Sequence, residues 1–285
     1  MTKTSETDRA GGEGDFVLTL MTSDMDEARA GVAAGVDRIG PDLEQLGKVD
    51  RQGGMGTRIS VHDAGIIDAL RLERGASALF ARVDPVHDGT EAQITDLLAR
   101  GAMVLMLPFF HDAPEVETFV RLVDGRAATT ILCETAPAIF RLPEILKVDG
   151  IDEVHFGLTD LMLSTGVNSR YEILASDLFA AACALTAEAE RPIHIAGVAA
   201  LSDDRLPISA DLTLARYAEL GATGSLVTRI FVDYTGTGGQ FSHEIAALKE
   251  RYAHWVQVGP EARNAALREM RAKIAEMKAA GKSPP

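Results

Sequence analysis

The sequence predicts an α/β protein of the (β/α)8 TIM-barrel class, followed by extra C-terminal helices. Three observations lead there. Eight short apolar runs alternate with helix-patterned segments along the chain. The runs are continuously apolar, as in strands buried on both faces of a parallel sheet. A chain of 285 residues is also an ordinary length for one such barrel.

The elements follow in order. FVLTLMT (16–22) reads as a strand, and Met25–Ala34 as the helix after it. DRIGPDLE (37–44) is the second strand, trailed by the polar, Gly-rich GKVDRQGGMG. GTRISVHD (56–63) is a ninth strand candidate, read instead as loop because residues 63–72 carry helical spacing. SALFARVDP (77–85) and MVLMLPFF (103–110) are strands, with helices over 90–100 and 114–123 after them. ATTILCET (128–135) and DEVHFGLTD (152–160) flank a helix over 136–147. A helix over 171–190 leads to the strand PIHIAGVAA (192–200), and a helix over 211–220 to the last strand, GSLVTRIFVDY (224–234). The division expected is a disordered lead-in over 1–14, the barrel over 15–240 and a helical extension over 241–285.

Composition narrows the function. No apolar run approaches the ~20 residues that span a bilayer, and MTKTSETDRAGGEGD has no signal-peptide core. A cytoplasmic protein without membrane contact is expected. The formal net charge is −14, with no basic face for a phosphate backbone, so nucleic acid is not an expected partner. An anionic substrate would be repelled by that field unless a local cation reverses it. Two cysteines make neither a disulfide framework nor a zinc cluster. TGTGGQ (235–240) follows the last expected strand and reads as a linker, not a dinucleotide loop.

In a β/α barrel, chemistry belongs at the C-terminal strand ends. The polar residues there are Asp42 and Glu44, Arg82 and Asp84, Glu134, and Asp160. Glu134 ends an apolar run, where an unpaired buried carboxylate would be costly. Asp160 stands one β/α repeat later, so the two acids occupy matching places on neighbouring strands and can converge on one hard cation. The absence of paired His or Cys ligands favours Mg²⁺ or Mn²⁺ over zinc. The competing reading has each acid cap the following helix, which suits Asp160 better than Glu134. Arg82 can grip a carboxylate and face an oxyanion, and Asp84 can orient it from the same strand face. Asp42 and Glu44 also share a face, as base or supporting groups. Arg229 is a candidate second anion contact. Cys133 reads as packing and His155 as a core residue, while His62 or His87 could overhang the mouth.

The stretch ETAPAIFRLPEILKVDGIDEVHFGLTDLMLSTG (134–166) resembles the HpcH/HpaI aldolase/citrate lyase family. Its ET-x-x-A opening, G-I-D turn, F-x-G-x-x-DL and following Gly match at Glu134, Gly150-Ile151-Asp152, Phe156, Gly157, Asp160-Leu161 and Gly166. ARVDP and GAMVLMLPFF resemble two further strands of the family. The resemblance implies that Glu134 and Asp160 bind Mg²⁺ or Mn²⁺. It implies too that Arg82 and the metal hold a 2-oxo acid, with Gly157 and Gln45 at the substrate. Gln45 stands where the aldolase branch has a His after D-x-E, while D-L-E itself is more similar to the citrate-lyase branch.

The leading expectation is a metal-dependent carbon–carbon lyase, a class II aldolase forming a pyruvate-like enolate. The alternatives are a citrate synthase-like condensing enzyme, an acyl-CoA lyase using the same enolate, or a non-catalytic 2-oxo acid binding protein. Leu267, Met270, Ile274 and Met277 form an apolar stripe at helical spacing. With the resemblance, it implies a homo-oligomer docked through the C-terminal helices.

Overall fold

A computed structural model describes residues 16–46 and 64–281. The lead-in (1–14) and the strand candidate 56–63, with His62, lie outside the described residues. Eight parallel strands close into a barrel in sequence order. They are β1 (Val17–Met21), β2 (Arg38–Gly40), β3 (Ala78–Arg82), β4 (Val104–Leu107), β5 (Ala128–Cys133), β6 (Glu153–Phe156), β7 (Ile193–Val198) and β8 (Ala222–Val227). The first helices outside it are α1 (Met25–Ala34), α2 (Ile66–Glu73), α3 (Thr90–Ala99) and α4 (Ala113–Val123). Then come α5 (Ala136–Phe140), α6 (Leu142–Ile145), α7 (Leu158–Thr165), α8 (Arg170–Ala175) and α9 (Asp177–Glu188). The last four are α10 (Ala210–Glu219), α11 (Arg229–Thr235), α12 (Gly239–Gln257) and α13 (Pro260–Ala279).

The structure corrects the sequence reading in four places, each for a local reason. The segment 224–234 is not one strand: β8 ends at Val227 and α11 begins at Arg229. Thr228 makes the switch, its side chain accepting the Phe231 N–H as a helix cap. A short apolar run fits either period, and here the cap decides. The helix over 136–147 is two short helices meeting at Arg141, because Pro143 lacks the N–H that an unbroken helix needs. The helix over 171–190 breaks at extended Ser176, which ends α8 and caps α9 through the Phe179 N–H. Asp160 does not end a strand: β6 stops at Phe156 and Asp160 lies in the first turn of α7.

Two kinds of side chain fill the barrel. Ala78, Phe80, Val104, Met106 and Leu132 make an apolar half from β3, β4 and β5. The other half is charged. Arg38 of β2 reaches Glu153 of β6 through two hydrogen bonds, at 2.5 and 2.9 Å. Thr130 donates to the same carboxylate, and His194 lies 3.6 Å from it. His155 packs edge-on against His194. Gly224 leaves room for that ring, since a Cβ there would come within 2.7 Å of His194 Nε2 and of the Val17 carbonyl.

The C-terminal helices strap the outside of the same barrel. Phe241, Ile245 and Leu248 of α12 and Met270 and Ile274 of α13 are buried in the main core. Trp255 Nε1 and Arg251 both bond Asp211 of α10, and Arg271 donates to the Ala175 carbonyl. In the apolar stripe of α13, Met270 and Ile274 are buried, and Leu267 and Met277 are partly buried against the same core.

The buried charges tie stability to pH. Burial lowers the His194 pKa to about 4, against the partial opposition of Glu153. His155 is lowered too, by burial and then by His194. Glu153 resists burial because Arg38 and then His194 hold it below the usual carboxylate range. Below about pH 6.5 the unfolded histidines take up protons that the folded ones refuse, so stability falls as pH drops toward 4. The Glu153 contribution is lost at still lower pH. Urea denaturation should show stability rising with pH across this window, with a shallower slope in His194→Gln. A wild-type slope of zero, or an equal slope in the variant, would contradict the assignment.

Candidate active site at the barrel mouth

The C-terminal ends of β2, β3, β5 and the turn after β6 bring five ionisable groups together. Arg82 is the last residue of β3, and Asp42 forms an isolated parallel bridge with it just beyond β2. The guanidinium donates from Nε and Nη2 to the two Asp42 oxygens, at 2.8 and 2.6 Å. Glu44 Oε2 lies 3.4 Å from the same Nη2. Leu43, between the two acids, is buried in the outer core.

Glu134 follows β5 and is 3% exposed, accepting the Phe109 N–H at 3.1 Å. Phe109 reaches it from a left-handed backbone (φ 50°) just after β4. The register pairing Cys133 with Phe156 sets Gly157 beside Glu134. A Cβ on Gly157 would lie 2.6 Å from Glu134 Oε2, so the carboxylate occupies the space that a side chain would take. Asp160, 9% exposed, lies one turn further on.

Electrostatics bind these groups into one site. Burial, then the nearby Asp160 charge, push the Glu134 pKa well above the ordinary range, with Arg82 opposing. Burial works to lower the Arg82 pKa, but Asp42, then Glu44 and Glu134, hold it above its usual value. Three carboxylates thus gather around one guanidinium, and Asp160 acts on the third of them, Glu134. Among the described residues no group of three or more His, Cys, Asp or Glu forms a metal cage. The donor set is all oxygen, which fits a hard divalent cation held by two carboxylates, with its other positions left to water and substrate.

A cavity of about 840 Å³ opens over the mouth. Arg82 and Asp42 lie on its wall, as do Leu158 and Thr159 from the turn leading to Asp160. Glu134 and Asp160 are buried beside it. Arg229 lines its far side as the first residue of α11, paired with Glu27 at 2.9 Å. Asp84 departs from expectation. It does not pair with Arg82 but accepts the Gln45 and Leu46 N–H groups, at 2.7 and 2.9 Å, and Gln93 Nε2. β3 has already ended at Arg82, so strand alternation no longer governs it. Asp42 takes the orienting role instead.

Gln45 is exposed, and Asp84 fixes its backbone. His87 is held by Thr90 and the Pro85 carbonyl. Cys133 is buried in the outer core, where burial raises its thiol pKa. Sequence reasoning missed Glu27, Arg170, Tyr171 and Tyr217 on the cavity wall. Each lies on a helix, where nothing local marks it as facing the mouth.

A model of the HpcH/HpaI aldolase/citrate lyase family matches residues 29–222, from α1 to the first residue of β8. The chain belongs to this family. Solved structures share its fold at low identity. An HpcH/HpaI aldolase from Desulfitobacterium hafniense DCB-2 is 18% identical with a TM-score of 0.56, over 75% of this chain and 86% of that one. A family protein from Burkholderia cenocepacia J2315 is 16% identical with a TM-score of 0.61, over 78% and 91%. The citrate synthase SbnG is 16% identical with a TM-score of 0.56, over 84% and 95%. No curated protein matches the chain.

The closeness of Gly157 to Glu134 is testable. Gly157→Ala should cost roughly 1–3 kcal/mol by overpacking, read from urea denaturation. Gly239→Ala, where a Cβ meets nothing within 4 Å, is the neutral control. Equal stability of the two variants would contradict the packing described.

Proposed function

We propose that the protein is a divalent-metal-dependent carbon–carbon lyase of the class II aldolase type, forming a pyruvate-like enolate from a 2-oxo acid. One observation carries the reading: Asp42, Glu44 and Glu134 gather around a single guanidinium at the barrel mouth, and Asp160 acts on the buried Glu134 beside them. The family to which the chain belongs is typically divalent-metal-dependent. Glu134 and Asp160 would hold Mg²⁺ or Mn²⁺. When bound, that ion supplies Lewis-acid stabilisation of the oxyanion formed from the keto group.

The chain's own residues supply the rest. Arg82 binds the substrate carboxylate and faces the developing negative charge, through the guanidinium edge that Asp42 does not take. Asp42 fixes that guanidinium in one orientation, so little reorganisation accompanies the reaction. Glu44 is buried beside Arg82 and is the carboxylate placed to move the methyl proton. Gln45 cannot exchange protons near neutral pH. Gly157 leaves the space in which Glu134 lies.

A condensing or thioester-cleaving reaction on the same enolate is the second reading. It is favoured by a cavity far larger than a three-carbon acid requires. A homo-oligomer docked through the C-terminal helices remains part of the proposal, since Leu267 and Met277 of the α13 stripe are only partly buried.

The test follows the pyruvate methyl protons by NMR in deuterated buffer. Exchange should require Mn²⁺ or Mg²⁺ and stop with chelator. Glu44→Gln should slow it by about 10²–10⁴-fold, the range of general-base catalysis. Absence of exchange in the metal-loaded wild type would overturn the enolate reading, and full-rate exchange in Glu44→Gln would overturn the role given to Glu44.

A further inference from the structure

Among the described residues, three that are not glycine adopt a left-handed backbone: Phe109 (φ 50°), Asp124 (φ 52°) and Glu190 (φ 54°). Asp124 caps the C-terminus of α4 and Glu190 lies just beyond α9, where left-handed residues are ordinary. Phe109 instead follows strand β4, and a bulky aromatic residue is sterically disfavoured in that conformation. Such a backbone persists only where the surroundings enforce it, and residues of this kind gather at functional sites.

The enforcement comes from both sides of Phe109. Its own N–H points at Glu134 Oε1, 3.1 Å away. Beyond it, the peptide plane that joins Phe110 to His111 is held at both ends. The Phe110 carbonyl accepts from the Thr135 hydroxyl at 2.8 Å, and the His111 N–H donates to Glu115 Oε2 at 2.6 Å. Arg141 donates to the next carbonyl, that of His111, at 3.0 Å. Thr135 is 1% exposed, so water does not compete for its bond, and the same hydroxyl accepts the Ala138 N–H as the cap of α5. Glu134 and Thr135 are chain neighbours that grip one turn, the first by an N–H and the second by a carbonyl. The bend between the two grips falls on Phe109.

We propose that Thr135 and Glu115 are positioning residues for Glu134: they lock the turn after β4, so that the Phe109 N–H fixes the orientation in which that carboxylate meets a cation. The inference rests on the metal reading of Glu134. The strain is carried by the folded chain in advance, so the carboxylate need not be ordered when the cation arrives. Releasing either end of the Phe110–His111 plane lets Phe109 relax to an ordinary backbone and turns its N–H away from Glu134.

Calorimetric titration of the metal-free protein with Mn²⁺ tests this without reference to catalysis. Thr135→Val removes the donor to Phe110, and Mn²⁺ affinity should fall about tenfold, the scale of losing a group that orients a metal ligand. Thr135→Ser keeps the hydroxyl and should keep the affinity. Glycine takes a left-handed backbone without steric cost, so Thr135→Val combined with Phe109→Gly should recover most of what Thr135→Val loses. A role confined to capping α5 would not be repaired at position 109. Glu115→Ala, at a partly exposed site, frees the other end of the same plane and should weaken Mn²⁺ binding in the same direction. That variant decides the matter if Thr135→Val does not fold. Wild-type affinity in Thr135→Val or in Glu115→Ala, or an undiminished loss in the double variant, would overturn the proposal with the metal reading intact. No Mn²⁺ bound by the wild type would overturn the metal reading, and this proposal with it.

Discussion

The burial of Glu134 beside Asp160 at the barrel mouth is the constraint around which the rest of the site is arranged. Arg82 is engaged by Asp42 and Glu44 and only partly offsets the cost of burying Glu134. Glu134 is nearly sealed from water, and its charged form is disfavoured by burial and by Asp160. Two outcomes relieve such a pair: a proton retained on one acid, or a cation shared by both. The surroundings are built for the carboxylate's position in either case. Gly157 vacates space for it, and the strained Phe109 backbone turns an N–H toward it.

The barrel keeps two charged clusters apart. At the floor, the Arg38 guanidinium and the Glu153 carboxylate meet through two hydrogen bonds, with His194 beside them. Each charge of that pair faces its opposite. At the mouth a second buried group, Glu134, has its pKa raised by burial and by Asp160. Both clusters are buried, and burial alone marks neither as functional. His155 lies between them and, being held neutral, adds no charge to either.

Much of this was legible in the sequence because parallel strands buried on both faces leave few places for polar residues. Glu134 stood out as a charge ending an apolar run, and Arg82, Asp42 and Glu44 as polar residues at strand ends. What escaped was set by contacts distant in sequence or by where a strand stops. Asp84 was assigned to Arg82 by alternation, but β3 ends first and Asp84 turns to the Gln45 loop. Arg229 was placed on a strand because VTRIFVDY fits either period, until the Thr228 cap is seen. The floor pair joins β2 to β6 across the barrel, a meeting that neither segment announces alone.

The central claim is that Glu134 and Asp160 form a cation site at the mouth. The most direct measurement is titration of metal-free protein with Mn²⁺, following free Mn²⁺ by electron paramagnetic resonance. The account predicts one site in the wild type, weakened by more than about tenfold in Glu134→Gln and in Asp160→Asn, each still folded by circular dichroism. Wild-type affinity retained in both variants, or no Mn²⁺ bound by the wild type, would contradict it.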